Sequence, residues 1–205
     1  MPPHAIQDHM LILAAFPPEL EPFSERYRKD ARAIGVGLVT AAHATGALLA
    51  SAKPAAVLLV GSCGVYPGRA PAAGAVVVAT RTVLADAGVA QDQAALPPPM
   101  ATHAPTDPAW VERFVAGGCL PAIVAGTLGI ATDDRLAHAL AERSGADVEN
   151  LEAFAVAAAC AAVSVPCVAV LGVTNVVGSQ GRIQWRDNHR TVAARVVEIV
   201  ERVLG

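Results

Sequence analysis

Five short apolar runs, separated by alanine-rich segments, constrain this chain more than any other feature. They are Met10–Phe16 (MLILAAF), Ala55–Val60 (AAVLLV), Ala75–Thr80 (AVVVAT), a run beginning Ala122–Ala125 (AIVA), and Cys167–Val173 (CVAVLGV). None alternates apolar with polar residues, so none suits a sheet with one wet face. Strands that are apolar on both sides need cover on both sides. Thr40–Ala52, Asp107–Ala116, Asp133–Arg143, Leu151–Val163 and Arg186–Leu204 read as helices that can supply it, and a further helix runs from about Pro18 to Arg28. The pattern predicts an α/β fold with helices over a buried sheet. The last helix carries Val192, Val196, Val197, Ile199, Val200 and Val203, an apolar face for the sheet. Thr106 is the expected N-cap of the Asp107 helix, with Pro108 in its first turn. Ala87–Pro105, with three consecutive prolines, reads as a long surface loop.

A chain of 205 residues fits one domain, 1–205, able to bury a full core without disulfides or metal staples. Its 54% hydrophobic content and net charge of -3 exclude intrinsic disorder and argue against a nucleic-acid partner, which would need a basic stripe. No uninterrupted apolar stretch approaches the roughly 20 residues of a spanning helix, so no membrane partner is expected. Met1–His9 lacks the basic-then-apolar order of a secretory signal. Cys63, Cys119, Cys160 and Cys167 lack paired spacing and read as buried thiols of a cytoplasmic protein. The six histidines show no metal-ligand spacing; no metal and no cofactor are expected.

Ligands of α/β sheets bind beyond the carboxyl ends of the strands. The polar residues available there are few. Glu19 follows Pro17-Pro18 after the first strand, Gly61-Ser62-Cys63-Gly64 follows the second, and Thr174-Asn175 follows the fifth. Val148-Glu149-Asn150-Leu151-Glu152 opens an alanine-rich helix. Read alone, Glu19 and Glu152 are acids at helix starts, favoured by the helix dipole. Asn175 is an ordinary turn residue. Gly61-Ser62-Cys63-Gly64 lacks the spacing of a nucleophile elbow.

Four of these stretches, in order, resemble the purine nucleoside phosphorylase and nucleosidase superfamily. Leu13–Leu20 looks like its first strand and acidic turn, and Val60–Val65 (VGSCGV) like its Gly-Ser-Ala-Gly turn. Asn150–Ala155 (NLEAFA) resembles its ribose-gripping Met-Glu segment, and Val168–Gly178 (VAVLGVTNVVG) its last strand and base-contacting loop. Within the superfamily, Val148–Glu152, Thr174–Gly178, Arg182 and Trp185 look most like futalosine hydrolase. The resemblance implies a three-layer α/β/α domain with a twisted mixed central sheet. It implies hydrolysis of a 6-oxopurine nucleoside, futalosine, giving hypoxanthine on a menaquinone route, with a homo-oligomer as the working form.

The same resemblance implies roles. Glu152 takes both ribose hydroxyl hydrogens, since a carboxylate only accepts. Asn175 donates to the N7 and O6 acceptors of a 6-oxopurine, whereas an adenine site suits an aspartate. Glu19 orients and deprotonates water. Ser62 holds Asn175 or that water; Gly64 allows close approach; Asn150, Leu151 and Thr174 complete the ribose and base segments. Phe154 and Trp185 cover the base or the substrate tail. Four departures stand out, one being that the loop Ala131–Asp134 has none of the aromatic residues that the family often places over the base. Leu171 occupies the position where relatives with the water-activating glutamate often carry arginine, four residues before Asn175. Thr174 replaces serine, and Leu151 replaces methionine. The alternatives are a methylthioadenosine or adenosylhomocysteine nucleosidase, a purine nucleoside phosphorylase, and a non-catalytic purine-binding homologue. A phosphorylase needs cations around its phosphate, for which Arg69 and Arg81 are the candidates.

Overall fold

The apolar runs form the expected sheet, and three shorter strands join them. A computed structural model describes residues 10–205; Met1–His9, including His4 and His9, lies outside the described residues. The strands are β1 (Met10–Ala14), β2 (Ala31–Ala33), β3 (Ala56–Val65), β4 (Val76–Leu84), β5 (His103–Pro105), β6 (Leu120–Gly126), β7 (Val148–Asn150) and β8 (Cys167–Val176). The helices are α1 (Glu25–Arg28), α2 (Leu38–Ala52), α3 (Ala87–Ala90), α4 (Pro108–Ala116), α5 (Asp134–Ser144), α6 (Ala153–Ala162) and α7 (Gly181–Leu204).

The sheet is mixed. β1 runs parallel to β2 and β3, β3 to β8, β4 to β6, and β6 to β7, while β3–β7, β4–β5 and β4–β8 are antiparallel. The pairings β3–β8–β4–β6–β7–β3 close a ring. Helices cover both faces. On one side Leu49 of α2 and Val156 and Cys160 of α6 pack on Leu59, Val124 and Leu171. On the other, Trp110 and Phe114 of α4 and Val196 and Val200 of α7 pack on Leu58, Val78 and Val170. Gly172 lets α7 approach closely, because a Cβ there would collide with Val192.

Several local expectations are corrected. The Pro18–Arg28 helix is a 3-10 turn at Pro17–Glu19 followed by the four residues of α1, because Pro17 and Pro18 favour a tight start and leave no continuous ladder. Asp107, not Thr106, caps α4: its carboxylate accepts from Trp110 N, while Thr106 Oγ1 bonds Thr80 O. The Ala87–Pro105 loop contains α3 and the edge strand β5. Val148–Asn150 is a strand, and the helix starts only after Glu152. Helix α7 begins five residues before the predicted Arg186. Among the described residues, no helix is long and apolar enough to cross a membrane.

Candidate active site

Five chain segments bring residues to one cavity of about 480 Å³. The turn after β1 delivers Glu19, the end of β3 delivers Ser62 and Gly64, and β7 with the entry to α6 delivers Glu149, Asn150, Leu151 and Glu152. The end of β8 delivers Thr174 and Asn175, and the first turns of α7 deliver Arg182 and Trp185. The register between β3 and β8 slips between Cys63 and Gly64, where Cys63 faces Val173 but Gly64 faces Asn175. Such bulges re-aim side chains beside sites. Here it turns Asn175 toward the cavity.

Glu19 is buried, with 6% of its surface exposed. Its Oε1 accepts from Ser62 N at 3.0 Å and Ser62 Oγ at 3.2 Å, and Oε2 accepts from Ala15 N at 3.1 Å. Burial, reinforced by the nearby Glu152 charge, pushes its carboxyl up to about 7. That is where a general base works best near neutrality. Glu152 is equally buried. Its Oε1 accepts from Gly37 N at 2.8 Å and Oε2 from Asn150 Nδ2 at 3.2 Å, and burial raises its carboxyl above the usual range. Among the described residues neither acid is paired with a cation, so both keep acceptor capacity for a ligand.

Asn150 spends its amide on the protein. Nδ2 donates to Ser62 O and Glu152 Oε2, while Oδ1 accepts from Glu152 N and Ala153 N. It caps α6 and aims Glu152. Asn175 Oδ1 accepts from Thr174 Oγ1 at 2.7 Å, which orients the amide, and Nδ2 donates to Val176 O at 3.1 Å. One of its two N–H groups is therefore used locally, and one remains for a ligand rather than the expected two. Gly64 makes room for it: a Cβ there would lie 2.8 Å from Asn175 Nδ2.

The Ser62 hydroxyl is bonded to Glu19 and Trp185 rather than to Asn175. It donates to Glu19 and accepts from Trp185 Nε1 at 3.1 Å. Trp185 lines the cavity, stacked on His189 with ring centroids 4.5 Å apart. Phe154 does not line it. The ring packs in the core over Gly126, because the residue is the second of α6 and faces the sheet. Leu171 is wholly buried in the same apolar layer and does not line the cavity. Cys63 lines the cavity, and burial pushes its thiol well up, which disfavours the thiolate a nucleophile needs. Among the described residues Arg182 is the one cation along the cavity; Arg69 instead donates to Ala141 O, and Arg81 is exposed on β4.

Sequence reading overlooked Glu149 as a site residue. It is 6% exposed, lines the cavity, and is pushed up to about 7 by burial. The signal was present: an acid flanked by Val148 and Asn150 in what is a buried strand, where an unpaired charge is costly and therefore informative.

The family model of the phosphorylase superfamily matches residues 31–205. A futalosine hydrolase of Thermus thermophilus is 32% identical over 173 residues, covering 80% of this chain and 76% of that protein. Among solved structures, the native futalosine hydrolase of Helicobacter pylori superposes with a TM-score of 0.86 at 14% identity, covering 98% of both chains. The 5'-methylthioadenosine/S-adenosylhomocysteine nucleosidase of Neisseria meningitidis, in complex with methylthio-immucillin-A, gives 0.82 at 17% identity, covering 95% of this chain and 97% of that one. At those identities the superpositions speak for the fold, which is the nucleosidase-type α/β fold expected. With the family model spanning most of its length, the chain belongs to the phosphorylase superfamily.

Proposed function

We propose that this protein is an N-ribosyl hydrolase that cleaves futalosine into hypoxanthine and dehypoxanthine futalosine, a step toward menaquinone. One observation carries the reading: two buried, cation-free carboxylates, Glu19 and Glu152, share a cavity with the oriented amide of Asn175. Breaking an N-glycosidic bond places positive charge on the ribose and negative charge on the base, and this cavity offers acceptors for one and a donor for the other. Glu152 accepts the 2′- and 3′-hydroxyl hydrogens. Glu19 takes a proton from water as its oxygen attacks C1′; the C1′–N9 bond breaks and its electron pair leaves with the base. Asn175 has no proton to transfer, so its free N–H holds the charge growing on the purine. Ser62, Thr174 and Asn150 orient the groups that touch substrate, Gly64 and Leu151 shape the walls, and Trp185 covers one side.

Phosphorolysis fits less well, because Arg182 alone cannot make the multi-cation cradle a phosphate nucleophile needs. The reading includes one domain over 1–205, a cytoplasmic location and a homo-oligomer. Val36 and Ile130 support the last, since both line the cavity yet are 60% and 54% exposed, apolar surface that a second copy would cover. The test is release of free purine from futalosine, inosine and methylthioadenosine, with and without inorganic phosphate. Hypoxanthine release from futalosine at a rate independent of phosphate is expected. Release only with phosphate would make the protein a phosphorylase, adenine release from methylthioadenosine alone would make it the other nucleosidase, and no release would leave a binding protein.

A further inference from the structure

A second cavity, of about 190 Å³, lies outside the catalytic one. Buried Val83 of β4, which pairs with His103 of β5, forms part of its floor. Helix α3 brings Val89, helix α5 brings Leu140 and Arg143, and Leu96 comes from the loop between α3 and β5. That loop is held at both ends. Gln93 N and Ala94 N donate to Gly88 O where it leaves α3, and Leu84 N donates to Thr102 O where it enters β5. At less than half the volume of the catalytic cavity, the space suits a small molecule rather than a second nucleoside.

Two charged side chains of opposite sign line this cavity, and they do not pair with each other. Asp86 stands in the turn after β4. Its Oδ1 accepts from Val89 N at 2.9 Å, which caps α3, and among the described residues its other oxygen has no hydrogen-bond partner. Arg143 stands in the last turn of α5. Its guanidinium meets Asp92 at 3.9 Å with both side chains exposed, a pairing that solvent screens and that a ligand displaces at little cost. Neutral polar groups of the wall are already engaged. Ser144 Oγ donates to Leu140 O at 2.6 Å, and Thr102 Oγ1 bonds His103 Nδ1 at 3.0 Å. An acid and a guanidinium held apart on separate elements, with apolar walls around them, ask for a ligand that carries both complementary charges.

We propose that this cavity is a binding site for a free α-amino acid with an apolar side chain. The α-ammonium donates to Asp86. The α-carboxylate takes the Arg143 guanidinium in place of Asp92, since the fork of N–H groups matches its two oxygens. The apolar side chain lies against Val83, Val89, Leu96 and Leu140. A simple carboxylic acid fits worse, because its only charge meets Asp86 as well as Arg143, and a simple amine fits worse for the converse reason. The inference goes beyond the hydrolase reading and does not rest on it.

The test is titration of the full chain with leucine, followed by the NMR shifts of the backbone amides. Leucinamide, which lacks the carboxylate, and 4-methylpentanoate, which lacks the ammonium, are the controls. Leucine should move the amides of Val89, Leu96 and Leu140 and leave those of Glu19 and Glu152 in place. It should bind about tenfold or more tightly than either control, the range of a hydrogen bond between charged groups. Asp86→Asn keeps α3 capped, because asparagine caps as well as aspartate. That variant should weaken leucine about tenfold and leave 4-methylpentanoate no weaker than before. Arg143→Gln should weaken leucine and 4-methylpentanoate and spare leucinamide. Leucine that moves no amide at millimolar concentration, moves only those of the catalytic cavity, or binds no better than its controls overturns the proposal, and none of these results needs a variant to fold. Equal weakening of all three probes in both variants overturns it too, because the two side chains would then only hold the walls. A chain that discriminates the probes as expected yet fails to hydrolyse futalosine would lose the hydrolase reading and keep this one.

Discussion

Strands β3 and β8 run side by side along their whole length, yet their two halves obey different rules. From Val57 to Val60 and from Cys167 to Val173 every residue is buried and apolar apart from Gly172, and helices close over both faces. From Gly61 to Gly64 and at Thr174-Asn175 the same two strands carry glycines, hydroxyls and an amide, and three uncompensated acids gather around them. The first half gains stability from packing. The second half spends it, since a buried carboxylate without a cation costs free energy that the folded state must recover elsewhere. The difference separates what holds the molecule together from what it does, and it is open to direct attack.

The sharpest test exchanges one residue on each side. Glu152→Gln should lower kcat on the nucleoside by about 10²–10³-fold, the cost of losing a charged partner at the developing ribose cation. Its melting temperature should hold or rise, because a buried charge is removed. Leu171→Ala should do the reverse. Leu171 is wholly buried between the helix layers, and truncation should cost about 2–5 kcal/mol in denaturant melts while the folded fraction turns over normally. If Leu171→Ala abolished turnover in folded protein, or Glu152→Gln unfolded it, the two halves would not be separable in this way.

The next test is pH. The Glu19 carboxyl stands near 7 in the folded protein against an ordinary value of 4.5. Between those values the folded state holds a proton that the unfolded state has lost. Stability from this group is therefore greatest below about 4.5 and falls as pH rises to 7, by about 3 kcal/mol. Activity runs the opposite way, since a general base must be ionised, and it should climb through pH 7. Measured as wild type minus Glu19→Gln, the stability difference should decline between pH 5 and 7.5 and then level. A flat difference would mean that Glu19 is not the acid raised by burial.

How much of this was legible beforehand follows the same division. The apolar half reads directly, because strands buried on both faces leave long runs such as AAVLLV and CVAVLGV that little else produces. The short strands β2, β5 and β7 do not, since three residues show no period and their pairing is dictated by neighbours. Glu19, Glu152 and Asn175 were found as polar residues at strand ends, and all three line one cavity. Glu149 is hidden in the sequence because Val148–Glu152 reads as the start of a helix, whose first turn welcomes acids; as a strand the same acid is buried. Phe154 reads as a ligand contact in the sequence because spacing alone cannot say which side of a helix faces a cavity. Ser62 was placed near the right partners, but the choice of Glu19 over Asn175 depends on how the turn after β1 folds back on β3, a contact 43 residues apart in the chain.

The smallest expected effect probes the seam between the two halves. Trp185 belongs to both: its ring stacks on His189 along α7, while its Nε1 donates to Ser62 Oγ, which in turn donates to Glu19 Oε1. Hydrogen bonds in such a chain reinforce one another, so the indole makes the serine a better donor and favours the ionised glutamate. Trp185→Phe keeps the stacking and removes the N–H. We expect a stability loss of about 1 kcal/mol and a kcat loss of roughly three- to tenfold, with the acid limb of the pH profile moved upward as Glu19 becomes harder to ionise. His189→Ala removes the stacking and spares the N–H, so it should cost comparable stability and leave the acid limb where it is. If both substitutions move the limb alike, the indole acts only as a wall; if Trp185→Phe alone moves it, packing on α7 and proton affinity at Glu19 are joined through one hydroxyl.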